Sequence, residues 1–318
     1  MNIYDFRKHI SETLALPAHD VARLIIRAPH TYKKYEIDKK NGGTRLIAQP
    51  AKETKILQRL LMEALFCYLP VHECAVAYKT GSSIKKNAQK HRQNQYISKF
   101  DFSNFFGSIT EEDLIAHLKY VFVGKVSESS ILDIARVSCI RNSLTGKLNL
   151  SIGAPSSPVL SNSIMYYFDI AVHTWCIEEN IIYTRYADDL TFSSNEKNKT
   201  ASVEQFLYRV LKEIAYPSLE LNKKKTIHLS KKNQRRVTGL IISNDGLISL
   251  GREKKRQISV MIHHYQLKKL DDDSLPILQG LLGFAQDAEP LFVARMRTKY
   301  GSPLVSEIMR GRIKNNLK

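Results

Sequence analysis

Two adjacent aspartates interrupt a stretch that otherwise has the composition of a β-strand. In the segment "IIYTRYADDLTF", residues 181–192, β-branched and aromatic residues lie on both sides of Asp188 and Asp189. Adjoining carboxylates repel each other, and burying them without a compensating charge is costly. The pair is therefore expected either at a solvated hairpin tip or beside a bound cation.

A third carboxylate occurs in a similar setting. Residues 96–101, "YISKFD", alternate like a strand that runs into Asp101. Phosphoryl transfer requires neutralisation of charge on the attacking and leaving oxygens, which two divalent ions ~3.5–4 Å apart can supply. Mg²⁺ prefers a few carboxylates together with water and phosphate oxygens. Asp101, Asp188 and Asp189 could form such a clamp, whereas the alternative makes Asp101 a helix N-cap and the pair a simple turn.

The composition indicates a folded protein with a polyanionic partner. The 318 residues are 43% hydrophobic, which is enough to build a core. Lys and Arg number 48 against 31 Asp and Glu, and the resulting charge of +17 favours nucleic acid over an acidic membrane as the partner. The alternative is a generally basic protein whose lysines are merely solvated.

Nothing in the sequence indicates export or membrane insertion. The segment "MNIYDFRKHI" has no apolar signal core, and no apolar run approaches the ~18 residues that a bilayer requires. The cysteines lack C-x-x-C or metal-type spacing, so we expect reduced thiols: Cys67, Cys74, Cys139 and Cys176. We therefore expect a soluble, cytoplasmic protein without a membrane partner.

Periodicity predicts helices and strands that alternate irregularly along the chain. Two short helices are expected before Pro29, followed by a hairpin over residues 32–50 with its turn at Asn41-Gly42-Gly43. Thr110 and Asp113 form a capping-box pattern at the start of a further helix. Strands separated by helices without regular βαβ spacing favour an α+β fold over a doubly wound sheet. The other expected elements are helices over 52–69, 127–142, 158–179 and 201–215, strands near 224–229, 235–242 and 247–249, and a helical, basic chain from Arg252 onward.

Taken together, the motifs resemble those of reverse transcriptases. "YADD" at 186–189 is similar to their catalytic hairpin, and "FDFSNFFGSI" at 100–109 is similar to their first palm motif. "GAPSSPVLSN" at 153–162 and "LNKKKT" at 221–226 fit two later motifs in the family's order. "NAQKH" at 87–91 and "VTG" at 237–239 narrow the resemblance to the bacterial retron reverse transcriptases. The resemblance spans roughly residues 30–318.

The resemblance implies a right-hand polymerase fold within the α+β class, with fingers, a small antiparallel palm sheet and a short helical thumb. The implied domains are an N-terminal helical segment at 1–30, fingers at 31–95, a palm at 96–242 with a helical fingers-side insertion near 110–150, and a basic helical thumb at 243–318.

The resemblance also implies roles for single residues. Asp101, Asp188 and Asp189 would be the catalytic residues that hold two Mg²⁺ ions, with dNTPs as substrates. The implied nucleotide-binding residues are Arg45, Phe102, Phe106, Gly153 and Lys225.

Among these, Phe106 would exclude a 2′-OH, Arg45 would clamp the triphosphate, and Lys225 would give a proton to pyrophosphate. The alternatives are a core phenylalanine, a solvated hairpin arginine, and a role for a neighbouring lysine in place of Lys225. Gly153 would let the backbone approach the nucleotide. Ile152 departs from the family, since many members have Gln there and Ile cannot hydrogen-bond a nucleotide.

A second set of residues is implied to bind RNA. Its members lie in the two retron signatures and in the basic stretch after residue 221: Asn87, His91, Val237, Thr238, Gly239, Arg235, Arg236, Arg252 and Lys255. The alternatives are that Asn87 and His91 form one face of an exposed helix, that "VTG" is a strand ending at a glycine, and that the basic residues are only solvated.

The implied activity is RNA-directed DNA synthesis. Part of a cognate structured non-coding RNA would be copied into single-stranded DNA from a 2′-OH of a guanosine within the same RNA, which gives a branched RNA–DNA product. The resemblance further implies anti-phage defence with a separately encoded effector protein. The alternatives are an RNA-binding scaffold or toxin-restraining module with a polymerase fold, and a bacterial reverse transcriptase of a non-retron group.

Overall fold

The computed structural model of the protein describes residues 3–38 and 42–311. The predicted turn residue Asn41 and the last part of the predicted thumb, 312–318, lie outside the described residues.

The α-helices are α1 (Phe6–Leu14), α2 (Ala18–Arg27), α3 (Lys52–Ala64), α4 (Ile84–His91), α5 (Phe105–Ser108), α6 (Glu111–Val121), α7 (Glu128–Ser138), α8 (Ser157–Ile164), α9 (Tyr166–Glu178), α10 (Ser202–Glu213), α11 (Arg252–Gln266), α12 (Ser274–Ala288), α13 (Pro290–Tyr300) and α14 (Ser302–Arg310). The strands are β1 (Tyr32–Asp38), β2 (Thr44–Pro50), β3 (Tyr96–Asp101), β4 (Ile140–Arg141), β5 (Leu148–Asn149), β6 (Ile182–Tyr186), β7 (Asp189–Ser194), β8 (Ile227–Leu229), β9 (Arg235–Val237), β10 (Leu240–Ile242) and β11 (Ile248–Ser249).

The chain divides into two compact units. The first unit comprises the described residues of Met1–Thr80, Lys99–Phe192 and Asn198–Ile227. The second comprises those of Gly81–Ser98, Ser193–Lys197 and His228–Lys318. Residues 81–95, predicted as fingers, thus belong to the same unit as the basic C-terminal helices, because α4 shares their apolar core through Ala88.

The central sheet has four strands in the order β6-β7-β3-β8. Its apolar side chains stack on one another, with Phe192 T-shaped to Phe100 at 5.6 Å and parallel to Tyr183 at 4.8 Å between ring centroids. Burial of these rings stabilises the sheet, since aromatic side chains each remove a large apolar area from water. The predicted α+β class is confirmed by this mixture of helices and antiparallel strands.

One hairpin and one capping box form as the local sequence predicts. Strands β1 and β2 pair in antiparallel register from Tyr32↔Pro50 to Asp38↔Thr44. Thr110 caps α6, and its hydroxyl and the Asp113 carboxylate make the two reciprocal bonds of a capping box. Strands β4 and β5 form a second, short hairpin, pairing Ile140 with Asn149.

Several predicted elements differ from the structure, among them the helix expected over 127–142, which ends at Ser138 before β4 begins. The expected long helix over 158–179 is two helices, α8 and α9, with Met165 between them. Met165 has φ −80° and ψ 2°, so the main chain leaves the α-helical conformation there. The expected strand over 235–242 is the hairpin β9–β10, because Thr238 and Gly239 both have positive φ and form a two-residue turn.

The second unit packs α4 and the sheet β11-β10-β9 with helices α11–α14. Its core consists of apolar side chains from all of these elements, among them Ala88, Leu240, Ile258, Leu282 and Val293. The helical character predicted from Arg252 onward is found as far as Arg310.

Candidate active site

The structure brings the three aspartates together at one end of the sheet. Asp101 is the last residue of β3, Asp188 lies in the turn after β6, and Asp189 begins β7. The main-chain N–H of Phe102 donates to the Asp188 carbonyl at 3.3 Å, so the end of β3 lies beside the turn. Asp101 is only 6% exposed, so it is neither a helix cap nor part of a solvated tip.

A left-handed residue shapes this turn. Ala187 has a φ of 58°, in the region that non-glycine residues rarely adopt. The strict alternation of side chains along a strand is interrupted there, so both following carboxylates can lie on the side of Asp101. The pKa values agree with this arrangement. Besides burial, which has the larger effect, the charge of Asp101 raises the pKa of Asp188, and the charge of Asp189 raises the pKa of Asp101.

Burial and like charge make the ionised carboxylates unfavourable. Burial, followed by the charges of Asp101 and Asp189, raises the pKa of Asp188 to about 6. Burial also raises the pKa of Asp101, although the hydrogen bond and charge of Lys225 oppose this. The site therefore attracts positive charge.

Two lysines supply part of that charge. Lys225 Nζ lies 2.7 Å from Asp101 Oδ1, and Lys99 Nζ lies 3.8 Å from Asp189 Oδ1. Sequence reasoning missed Lys99. The alternation of "YISKFD" carried the signal, since Lys99 and Asp101 are two apart and share one face of the strand.

The donor chemistry of the three aspartates fits a divalent cation. Carboxylate oxygens are the ligands that Mg²⁺ prefers, and a cation would relieve the repulsion that raises the two pKa values. Among the residues that the structure describes, no group of three or more His, Cys, Asp or Glu side chains is already arranged to hold a metal ion.

The two phenylalanines predicted to contact nucleotide lie in different environments. Phe106 is partly buried and lines a cavity of about 260 Å³ together with Ile152, Ala48 and Asn104. Phe102 is buried in the core and stacks on Phe105, with 5.7 Å between ring centroids. Only the main chain of Phe102, which contacts Asp188, is directed at the site.

Gly153 is required by the protein's own backbone. Its φ is +116°, and a Cβ there would lie 2.9 Å from the Ala48 carbonyl oxygen of β2 and 3.0 Å from Ile47 Cγ2. The neighbouring Ile152 carbonyl accepts from the Ala48 N–H at 2.8 Å. The glycine therefore allows residues 152–153 to pack on the hairpin β1–β2, whatever its relation to a nucleotide.

Arg45 is exposed on β2, opposite Ile37. Its charge and that of Asp188 both act on Tyr78, whose pKa burial raises, with Asp188 adding to this effect and Arg45 opposing it. Tyr78 is 53% exposed and has a φ of 58°. Sequence reasoning missed this tyrosine, and no pattern in "VAYKTG" distinguishes it.

The "NAQKH" residues lie inside the second unit. Asn87 and His91 are both fully buried on α4, so neither the exposed helical face nor a direct contact with RNA describes their side chains here. His91 Nδ1 lies 2.7 Å from the Ser193 hydroxyl, which also accepts from Asn94 Nδ2 at 2.8 Å. Burial lowers the pKa of His91 to about 3, so the imidazole is neutral.

The "VTG" residues form the β9–β10 turn of the same unit. Val237 is buried in the core, and the Thr238 hydroxyl donates to the Ile84 carbonyl of α4 at 3.2 Å. Arg235 is also buried, and its guanidinium donates to the Asn94 and Ser243 carbonyls. Burial lowers the pKa of Arg235. Arg235 thus ties main-chain segments together.

The remaining basic residues surround one cavity of about 800 Å³ in the second unit. Gly239 and several basic side chains line it: Lys231, Arg236, Arg252, Lys254 and Lys255. Lys255 is also paired with Glu289 at 2.7 Å. Of the residues predicted to bind RNA, Arg236, Gly239, Arg252 and Lys255 are thus brought together here, and Asn87, His91, Val237 and Arg235 are buried.

Comparison with known proteins agrees with this architecture. The family model described as "Reverse transcriptase (RNA-dependent DNA polymerase)" matches residues 37–242. A solved structure of telomerase from Candida albicans in complex with a fragment of telomeric RNA superposes with a TM-score of 0.52 at 13% identity, over 89% of this chain and 61% of that one. This likeness concerns the fold, which is that of a right-hand polymerase.

Two similar proteins show to which branch of the reverse transcriptases the chain is related. The retron Ec83 reverse transcriptase of Escherichia coli is 37% identical over 92% of this chain and 94% of its own. The retron Ec73 reverse transcriptase of Escherichia coli is 31% identical over 94% and 95% of the two chains. The chain belongs to the reverse transcriptase family, and within it to the bacterial retron reverse transcriptases.

Membership defines the enzyme class. The protein is an RNA-directed DNA polymerase, and its family uses RNA templates, deoxynucleoside triphosphates and divalent metal ions. None of the described helices is both long and apolar enough to cross a membrane.

Replacing Asp188 with Asn is expected to stabilise the metal-free protein. Because the folded-state pKa, about 6, exceeds the ordinary value of 3.8, the folded protein binds this proton more tightly than the unfolded chain. Its contribution to stability therefore falls as the pH rises from about 4 to about 6, and stays low above that. Without divalent metal, Asp188→Asn should raise the free energy of unfolding in urea by about 1–3 kcal/mol at pH 7.5. An equal gain near pH 4 would contradict the assignment.

Replacing His91 with Ala is expected to destabilise the fold, because it opens a cavity and removes one of the hydrogen-bond partners of Ser193. The expected loss is about 2–4 kcal/mol in the free energy of unfolding. Lys90→Ala, one position earlier on the exposed side of α4, is the matched control and should change stability by less than about 0.5 kcal/mol. If His91→Ala weakened RNA binding without changing the unfolding midpoint, His91 would instead act at a surface.

Proposed function

We propose that this reverse transcriptase copies part of a cognate structured non-coding RNA into single-stranded DNA. A 2′-OH of a guanosine within that RNA acts as the primer, so the product is branched RNA–DNA. The observation that carries the catalytic part is the approach of Asp101 to the Asp188–Asp189 turn, with Lys225 2.7 Å from Asp101. Likeness to the retron enzymes supports the choice of template and primer.

Asp101, Asp188 and Asp189 are proposed to hold two Mg²⁺ ions. When bound, the ions lower the pKa of the attacking hydroxyl and offset the charge of the leaving pyrophosphate. Lys225 supports this chemistry because its ammonium group is already at the carboxylates and is 55% exposed, so it can move to a pyrophosphate oxygen and give it a proton.

Other residues of the first unit are proposed to select the nucleotide. Phe106 faces the cavity that Ile152 also lines, where its ring would clash with a 2′-OH. Arg45, exposed on β2, is proposed to bind triphosphate oxygens, and the support is that its charge and that of Asp188 both act on Tyr78. Ile152 offers no side-chain hydrogen bond, so at this position the nucleotide meets main chain and apolar surface.

RNA is proposed to bind at the basic cavity of the second unit. Arg236, Arg252, Lys254 and Lys255 can contact phosphates, and Gly239 gives the cavity lining a position without a side chain. Such a surface suits recognition of RNA by shape and by its 2′-OH groups. The buried residues contribute indirectly: Val237 packs in the same core as α4, Arg235 joins the Asn94 and Ser243 carbonyls, and Asn87 and His91 lie on the buried side of α4.

We also propose a cytoplasmic role in anti-phage defence together with a separately encoded effector protein. The support for this role is the likeness to retron reverse transcriptases alone.

Expression with the adjacent genomic non-coding region tests the proposal. We expect the purified wild-type protein to carry a short DNA that separates from RNA only after treatment with a debranching enzyme. Asp101→Ala and Asp188→Ala should carry RNA without DNA, because each removes a carboxylate from the site. The measurement is gel analysis of the bound nucleic acid before and after debranching.

Two other outcomes of this expression experiment would contradict parts of the proposal. RNA without DNA in wild type as well would favour a scaffold that holds RNA without synthesis. DNA synthesis on a supplied primer, but no branched species, would retain the polymerase and reject the 2′-OH primer.

The proposal that RNA binds at this cavity also predicts how RNA affinity depends on salt concentration. Arg236→Ala/Arg252→Ala should weaken RNA binding and reduce the slope of log affinity against log salt by about 1.5–2, since each lost phosphate contact releases about one counterion fewer. Lys212→Ala/Lys269→Ala, which removes the same charge at exposed positions outside the cavity, is the control. Equal salt slopes for the two double variants would place the RNA elsewhere.

A further inference from the structure

A fully buried arginine lies two residues before the catalytic turn. Arg185 is on β6 and has no exposed surface. Its Nε and Nη2 donate to Asp169 of α9, at 2.9 Å to Oδ1 and 2.6 Å to Oδ2, and Asp169 is equally buried. Burying such a pair in place of apolar side chains gives little or no stability by itself. The pair therefore calls for an explanation beyond stability.

The remaining hydrogen bonds of Arg185 suggest an explanation for the buried pair. Its Nη1 donates to the Ala187 carbonyl at 3.1 Å. Ala187 is the left-handed residue of the turn, with a φ of 58°. Since its carbonyl belongs to the peptide group that links it to Asp188, a bond to this oxygen holds the orientation in which the chain enters Asp188. A conformation that alanine rarely adopts persists only where surrounding contacts maintain it.

Asn162 of α8 extends the same contact to a second segment. Its Oδ1 accepts from Arg185 Nη1 at 3.1 Å, and its Nδ2 donates to the Ala77 carbonyl at 2.8 Å. Tyr78, which follows Ala77, also has a φ of 58°, and the charge of Asp188 acts on its hydroxyl.

The main chain of Arg185 joins this segment too. The Arg185 N–H donates to the Cys74 carbonyl, and the Val76 N–H donates to the Arg185 carbonyl, both at 2.8 Å. Residues 74–78 and the catalytic turn are thus held by one residue.

We propose that Asn162, Asp169 and Arg185, the positioning set, hold the catalytic turn in its working conformation before any metal or substrate binds. Asp169 orients the guanidinium, Arg185 holds the Ala187 carbonyl, and Asn162 couples the turn to the Tyr78 segment. The set touches no substrate and acts through Asp188, so this inference rests on the proposed role of that aspartate. Only a planar fork of donors reaches Asp169, Asn162 and Ala187 at once, which lysine cannot do.

Hydrogen–deuterium exchange of the metal-free protein tests the proposal. We expect Arg185→Lys to accelerate exchange in peptides covering residues 181–192 by about tenfold, because the turn loses its hydrogen bond. Mn²⁺ binding, measured by electron paramagnetic resonance, should weaken about tenfold, and RNA affinity should stay within about twofold of wild type.

The matched control is Tyr183→Phe. The Tyr183 hydroxyl donates to Asp169 Oδ1 at 2.9 Å, and its removal takes one buried hydrogen bond from the same carboxylate without touching Arg185 or the turn. This variant should lower the unfolding temperature and leave both turn exchange and Mn²⁺ binding as in wild type.

Two results would overturn the proposal. One is wild-type exchange and Mn²⁺ binding in a folded Arg185→Lys protein that merely unfolds at lower temperature, which would reduce the set to a core ion pair. If Arg185→Lys does not fold, Asn162→Ala replaces it, since this variant leaves the Arg185–Asp169 pair in place. It should accelerate exchange about threefold in residues 74–80 and in the turn, and unchanged exchange there is the second overturning result.

The two proposals fail in different ways. Exchange is measured without metal, so it reports on the positioning set even if Asp188 binds no ion. Retention of Mn²⁺ binding and polymerisation by Asp188→Ala would overturn the role of the aspartate and leave the exchange result standing.

Discussion

The repulsion among three carboxylates is the constraint on which the proposed active site of this protein depends. Divalent cations that act on a polyanionic substrate need carboxylates close together to hold them, and burial together with the neighbouring carboxylates raises the pKa values of Asp101 and Asp188. The fold must therefore hold in place an arrangement that is unfavourable in itself. Lys225 and Lys99 lessen the repulsion, and their long, flexible side chains can move aside when a cation binds.

The backbone around the carboxylates is equally constrained. Ala187 and Tyr78 are both left-handed, and both adjoin contacts made by Arg185 and Asn162. Gly153 packs its Cα against a strand carbonyl where a Cβ would not fit. Strain and close approach thus concentrate around the site, and buried hydrogen bonds from α8 and α9 offset them. This agrees with the general tendency of functional sites to store strain that the surrounding structure maintains.

The two retron signatures in the second unit have a structural meaning that their resemblance alone does not convey. His91 and Asn94 converge on Ser193, the Thr238 hydroxyl reaches α4, and buried Arg235 joins Asn94 to Ser243. These side chains fasten α4 to the end of β7 and to the β9–β10 hairpin. The basic residues that remain on the surface line the cavity proposed for RNA. A family signature can thus mark residues that shape a binding surface without lying on it.

Much of this protein was determined locally by its sequence. The strand that runs into Asp101, the hairpin that carries Asp188 and Asp189, the capping box at Thr110 and the helical C-terminal part follow from periodicity and turn chemistry, which act between near neighbours. The order of the motifs also identifies the family. Only the tertiary structure decided that α8 and α9 are separate helices, that His91 and Arg235 are buried, and that Gly153 packs against the Ala48 carbonyl. It alone joined Arg185 to Asp169 and Asn162, 16 and 23 positions away in the chain, and Asn162 to Ala77, 85 positions away. Burial and hydrogen bonds between distant segments arise only from packing, and no local pattern contains them.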